Sequence, residues 1–293
     1  MTLAPTLLLV LYCTAIAGFS LVGGLLPNWV KMTHTRTQVI MSFVSGLMLG
    51  VAFYHLLPHS VAMLGGGGST DTAVRWLMLG LITMLLSLRL VHFHQHYFSR
   101  EEEDLHDHHD GHDHHSHHAH DKAKPGPVNS MSWLGIALGL GVHTLIDGLA
   151  LGAVMQGEIA DGAMGLVGVG VFLAILLHKP LDALSITTVM AAGGWSRRSI
   201  AISNLLFALM CPLGALLFFF GVDFVGNSRD YLVAAALAFS AGAFICIALS
   251  DLLPEVHFHS HDRAKLTVAF LLGIGLAFAM GALEPANFHL PNP

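Results

Sequence analysis

Eight times along its 293 residues the chain runs on for about twenty residues with scarcely a charge. These stretches are 5–27, 38–59, 73–96, 131–156, 163–190, 197–221, 231–256 and 265–284. In lipid, a segment of that length must satisfy its own backbone polar groups, and for a single segment the solution is a helix. The pattern predicts an all-α, polytopic membrane protein with eight transmembrane helices. Composition agrees: 11% of residues are charged, against about 25% in a soluble domain. No Lys or Arg precedes the first stretch, and it outruns the apolar core of a secretion signal, so it is read as a retained helix.

The basic residues set an orientation. Loops after helices one, three, five and seven hold Lys31, Arg36, Arg100, Lys122, Lys124, Arg197, Arg198, Arg263 and Lys265. The other side holds Arg75 and Arg229. Basic loops stay in the cytoplasm, which puts both termini outside. The cell (inner or plasma) membrane is the expected location. The formal charge of -6 comes largely from one acidic, His-rich loop, and no basic aromatic patch suggests nucleic acid. Cys13, Cys211 and Cys246 all lie in apolar segments, with no disulfide spacing and no CxxC pair.

The chain divides into helices one to three (1–98), a cytoplasmic loop (99–130), two central helices (131–190) and helices six to eight (191–293). The loop carries His106, His108, His109, His112, His114, His115, His117, His118 and His120 among aspartates, without apolar periodicity. It is read as unstructured, and as a multivalent metal-capturing tract. A shift of 196 residues lays Phe43–His59 over Phe239–Glu255, with identities at Phe43/Phe239, Gly46/Gly242, Ala52/Ala248, Leu56/Leu252, Leu57/Leu253 and Pro58/Pro254. The matched helices are the second and seventh, so they cross in opposite senses. That is the inverted repeat of secondary transporters, here helices 1–3 and 6–8 around central helices 4 and 5.

The chemistry concentrates in those central helices. The fourth reads His143-Thr144-Leu145-Ile146-Asp147 and the fifth His178-Lys179-Pro180-Leu181-Asp182. Positions i and i+4 share one helix face. Two such helices side by side offer two nitrogens and two oxygens to one point, a tetrahedral set of the kind zinc accepts. In lipid such groups are costly unless they line a cavity or bind something. The predicted metal ligands are therefore His143, Asp147, His178 and Asp182. Lys179 either snorkels away or points its ammonium at the aspartates. Pro180 should free the Leu176 carbonyl and bend the helix beside His178. Pathway candidates are His55 and His59 toward the outer face, and Asp251, Glu255, His257, His259 and His261 toward the cytoplasm.

Taken together these motifs resemble the ZIP (Zrt/Irt-like) metal transporter family over nearly the whole chain. The likeness rests on the helix count, the His-rich loop, the paired His/acid signatures, His55-Leu56-Leu57-Pro58, Asp251-Leu252-Leu253-Pro254-Glu255 and Pro212-Leu213-Gly214-Ala215. The resemblance implies divalent metal movement toward the cytoplasm, by sliding the bundle that holds helices four and five. Where many members build a second metal position, this chain has Thr144, Lys179 and Cys211, and His-Lys-Pro at 178–180 marks a variant of the pattern. A cation in place of an acid implies one transport metal rather than two.

The expected function is secondary transport of a divalent ion, chiefly Zn²⁺, into the cytoplasm, with no catalysis and no cofactor. The metal is cargo, and carboxylate ligands leave Fe²⁺, Mn²⁺ and Cd²⁺ open. Expected partners are metal ions and the bilayer; homodimerisation is left open. A cation-diffusion-type zinc exporter shares the His-rich loop, but has fewer helices and a soluble C-terminal domain, where here 286–293 follow helix eight. An intramembrane zinc hydrolase would need a base that the His55/His59 pair lacks.

Overall fold

The structure is a computed structural model that describes residues 3–25, 34–65, 68–103, 130–160, 162, 166–258 and 263–281. Side chains at 3, 4, 34, 90–103, 130–137 and 251–258 are outside the description. Among the described residues every regular element is helical. In order they are α1 (Leu3–Leu25), α2 (His34–Val51), a π turn (Ala52–Leu56), α3 (Leu57–Leu64), α4 (Ser69–Glu103), α5 (Ser130–Ala160) and α6 (Val169–Ala192). Then follow α7 (Arg197–Gly221), a 3₁₀ segment (Val222–Ser228), α8 (Arg229–Phe258) and α9 (Arg263–Gly281).

Seven apolar stretches are long enough to cross a membrane, and one of them, Arg197–Ser250, is 54 residues long. The 3₁₀ segment breaks it, with Gly226 at φ 61, ψ -124, a backbone region that glycine tolerates and other residues avoid. It thus contains two helices, α7 and α8, and the chain makes the eight crossings that the hydropathy predicts. Leu7, Leu11, Leu86, Leu206, Leu217 and Phe278 are exposed on the outside of the assembly, as lipid-facing side chains must be.

The second crossing is one rod made of α2, the π turn and α3. Pro58 stands in the first turn of α3. A proline has no N–H to give and collides with the carbonyl four residues back; widening the preceding turn relieves both. His55 consequently lies in the wide turn and His59 on the regular helix beyond it.

The helices pack as two groups. One is α1, α5, α6 and α7; the other is the α2–α3 rod, α4, α8 and α9. Each three-helix repeat gives one helix to the first group and two to the second, and the central α5 and α6 complete the first. The sequence repeat has a packing cause. A Cβ on Gly46 would meet the Phe270 carbonyl oxygen at 2.0 Å, and one on Gly273 the Phe43 carbonyl oxygen at 2.1 Å. In the other half a Cβ on Gly242 would meet Leu77 O, and one on Gly80 Phe239 O, each at 1.9 Å. The repeated pairs Phe43/Phe239 and Gly46/Gly242 therefore make the same glycine-lined helix crossing twice, α2 against α9 and α8 against α4. Without a hydrophobic force between helices in lipid, such close backbone approach is a main source of association.

Gly168 caps the start of α6 at φ 72, and Gly170 faces the His55 ring. The tight seam of α5 is with α7: a Cβ on Gly148 would meet Cys211 O at 2.2 Å, and one on Gly214 would meet Leu145 O at 2.7 Å. Tight α5–α7 packing leaves room on the α6 side for long polar side chains.

Candidate metal centre

His143 and Asp147 stand one turn apart on α5, and His178 and Asp182 one turn apart on α6. The helices meet so that the four side chains converge, as the i, i+4 spacing predicts. His143 Nε2 lies 3.5 Å from Asp147 Oδ2 and 3.0 Å from Asp182 Oδ2. His178 Nε2 lies 3.2 Å from Asp147 Oδ2 and 3.7 Å from Asp182 Oδ2. A tetrahedral zinc ion with bonds of about 2.0–2.1 Å holds its ligand atoms about 3.3 Å apart. Four of the six edges of such a tetrahedron are thus already at the right length. The largest separation in the set is within 4.8 Å, so the remaining two need at most a small closing movement.

The tautomer of His178 is fixed by its neighbour. Its Nδ1 donates to the Ala174 carbonyl at 2.7 Å, which leaves Nε2 of the neutral ring as a lone pair aimed into the cluster. A lone pair facing a carboxylate oxygen at 3.2 Å repels it unless a positive charge stands among them. Asp147 Oδ1 and His143 Nδ1 are buried without a hydrogen-bond partner. The chemistry of the donor set is therefore that of a cation site, and its mixture of imidazole and carboxylate suits zinc and other first-row divalent ions.

One positive charge is built in. Lys179 turns inward, not toward the interface. Its Nζ donates to Asp147 Oδ2 at 2.5 Å, to Asp182 Oδ2 at 3.2 Å and to Thr144 Oγ1 at 3.2 Å. It also stands 5.3 Å from the centre of the Phe207 ring. Snorkelling would have left two carboxylates uncompensated in the core, so the pairing outweighs hydration of the ammonium. Cys211 is buried on α7 within electrostatic reach of Lys179 and Asp147. Thr144 and Cys211 thus flank the ammonium.

Lys179 and Asp147 are at most 1% exposed, whereas the Asp182 side chain retains 19%. Pro180 lies within α6, and α1 seats against it: a Cβ on Gly23 would fall 2.3 Å from Pro180 Cα.

His55 and His59 are buried but do not join the four-residue cluster. His55 Nε2 donates to the Ala277 carbonyl at 2.8 Å, and a Cβ on Gly157 of α5 would lie 2.8 Å from His59 Nε2. Asp251, Glu255 and His257 fall on α8, where the side chains lie outside the description; His259, His261 and the His-rich loop at 106–120 lie outside the described residues. Two polar residues that the sequence did not single out, Glu158 and Gln156, are engaged near the end of α5. Glu158 accepts from the Gly168 N–H at 2.8 Å, tying the end of α5 to the start of α6. Gln156 bridges Phe219 and Arg229. Each is a lone polar residue near the end of an apolar run, a placement too common to stand out.

Residues 4–281 match the family described as ZIP Zinc transporter. Similar proteins include a Zinc transporter ZIP9 of Micropogonias undulatus, 34% identical over 287 residues and covering 83% of both chains. The Zinc transporter ZIP9-A of Xenopus laevis is 33% identical over 306 residues, covering 90% of this chain and 91% of its own. A more distant relative, Zinc transporter 3 of Arabidopsis thaliana, is 27% identical over 278 residues, covering 88% of this chain and 77% of its own.

Proposed function

This chain belongs to the ZIP zinc transporter family, and from that premise we propose that it carries Zn²⁺ into the cytoplasm through His143, Asp147, His178 and Asp182. It is a multi-pass membrane protein and a transporter of divalent metal, not an enzyme. The single observation that carries the assignment of the site is the geometry: two imidazole nitrogens and two carboxylate oxygens at tetrahedral edge lengths in the core of α5 and α6. Inward direction rests on membership of the family; the basic loops supply the orientation, with both termini outside the cell membrane. In that orientation Asp182 lies on the cytoplasmic side of His178. An ionised carboxylate exposed to acyl chains at that depth would be costly, so its partial exposure supports a watery opening toward the cytoplasm.

The Lys179 ammonium occupies the ground a second ion would use, between Thr144, Cys211 and the aspartates. One divalent ion at a time is therefore the proposed load. Fe²⁺, Mn²⁺ and Cd²⁺ fit the same donors and are the relevant competitors.

Uptake by purified protein in liposomes, measured across a panel of divalent ions with and without a pH gradient, tests the proposal. Zinc should enter, and His143→Ala or Asp147→Ala should abolish its entry while the protein still folds and inserts. Undiminished uptake by either variant would refute the site.

A further inference from the structure

At the end of the molecule away from Asp182, a hydrogen bond joins the two helix groups. Gln156 is near the end of α5 and is buried. Its amide N–H donates to the Phe219 carbonyl of α7, at 2.5 Å, so it is anchored within its own group. Its amide oxygen then accepts from Arg229, the first residue of α8, also at 2.5 Å. Arg229 belongs to the other group and is held there by Asp223 at 3.4 Å and Asp230 at 3.1 Å. Three other inter-helix bonds among the described residues stay within one group: Asn204 of α7 donates to Leu21 O of α1, Ser60 of α3 to Ala234 O of α8, and Trp76 of α4 to Tyr231 of α8. The Gln156–Arg229 bond crosses.

It crosses at a hinge. The 3₁₀ segment Val222–Ser228 is the covalent link between α7 of one group and α8 of the other, and Gly226 takes its positive φ there. Arg229 and Asp223 stand at the two ends of that link. Transport by an inverted-repeat protein requires one group to rock or slide against the other, so that a fixed site opens to each side in turn. At this end the two groups pack closely: His59 and Glu158 are buried, and a Cβ on Gly157 of α5 would lie 2.8 Å from His59 Nε2 of α3.

We propose that Gln156 and Arg229 form a clasp that holds the outer side of the transporter closed, and that it must open each time the metal centre faces outward. This rests on the transport reading above, and it places a specific, breakable contact on the conformational cycle. A hydrogen bond to a charged group shifts a two-state equilibrium by roughly ten- to a hundredfold. With Arg229 about a quarter exposed, the low end of that range, about tenfold, is the expected size.

The test uses the full chain in nanodiscs, with spin labels on cysteines introduced at Ala160 and Ala62. Both are exposed, Ala160 near the end of α5 and Ala62 near the end of α3, so the pair reports on the separation of the two groups at this end. The distance distribution of the otherwise native protein should be dominated by one short population. Arg229→Met leaves the Gln156–Phe219 bond intact and should raise a longer-distance population about tenfold relative to the short one. Gln156→Leu, which removes the other half of the clasp, should do the same and covers the case in which Arg229→Met does not fold. Arg75→Met, which removes an exposed arginine of α4 outside the clasp, should leave the distribution as it was. Unchanged distances in both clasp variants, or an equal shift in Arg75→Met, would overturn the clasp. Zinc binding by the same samples reports on the metal centre separately: a centre that fails to bind zinc refutes the transport reading, whatever the labels show.

Discussion

Lys179 Nζ stands 2.5 Å from Asp147 Oδ2, the same oxygen that faces the Nε2 atoms of His143 at 3.5 Å and His178 at 3.2 Å. A metal bound by that oxygen and the two imidazoles must share it with the ammonium or displace it. The lysine is thus both the counter-charge that lets two buried aspartates coexist and a competitor for the cargo.

Replacing Lys179 by Met separates these roles. Without the ammonium, two buried carboxylates are left uncompensated, and breaking a buried ion pair costs about 3–5 kcal/mol. The metal-free variant should melt at lower temperature, and zinc should restore most of the loss. Zinc affinity should rise by tenfold or more, since a like charge beside the ion is gone. Calorimetric titration and melting curves with chelator or zinc read both effects. Equal affinity in Lys179→Met and the native protein would show that the ammonium does not compete.

The two aspartates should differ. Asp147 touches both imidazoles and the ammonium and is fully buried; Asp182 is the partly exposed member. Loss of an outer-shell partner typically costs 10–100-fold in metal affinity. Asp147→Asn should exceed that, whereas Asp182→Asn should fall within it because water can supply the missing oxygen. The order of zinc affinities, native above Asp182→Asn above Asp147→Asn, checks this.

The doubled glycine crossing gives a stability prediction. A methyl group at Gly46 or Gly242 runs into backbone carbonyls of α9 or α4, which cannot yield as a flexible side chain would. Overpacking of this kind costs about 1–3 kcal/mol or more. Gly46→Ala and Gly242→Ala should each lower the melting temperature in detergent. Gly18→Ala on α1, with nothing within 4 Å of the added methyl, should leave it unchanged or slightly raised.

The four-residue cluster was legible because spacing alone places His143 over Asp147 and His178 over Asp182, whatever surrounds them. The eight crossings were legible because lipid permits few alternatives to a helix. The direction of Lys179 was not. A lysine one residue past a ligand can snorkel or turn inward, and the choice depends on where Asp147 of the other helix falls. The π turn at His55 was hidden for a similar reason: Pro58 signals a disturbance but not which neighbouring turn absorbs it. Gln156 and Arg229 gain meaning only when α5 and α8 are known to belong to different groups. That His55 and His59 stand apart from the cluster is likewise a matter of helix placement, which local pattern does not set.

Acid should weaken metal binding. The imidazoles accept a metal only as neutral bases and the carboxylates only when ionised, so protons and the ion compete for the same atoms. Zinc affinity should therefore fall steadily between pH 8 and pH 5.5, and each ion bound at the acidic end should release at least one proton. Titration calorimetry in buffers of different ionisation enthalpy counts those protons. Constant affinity and no proton release over that range would remove the two histidines from the ligand set, leaving the aspartates and Lys179 as a simple ion pair.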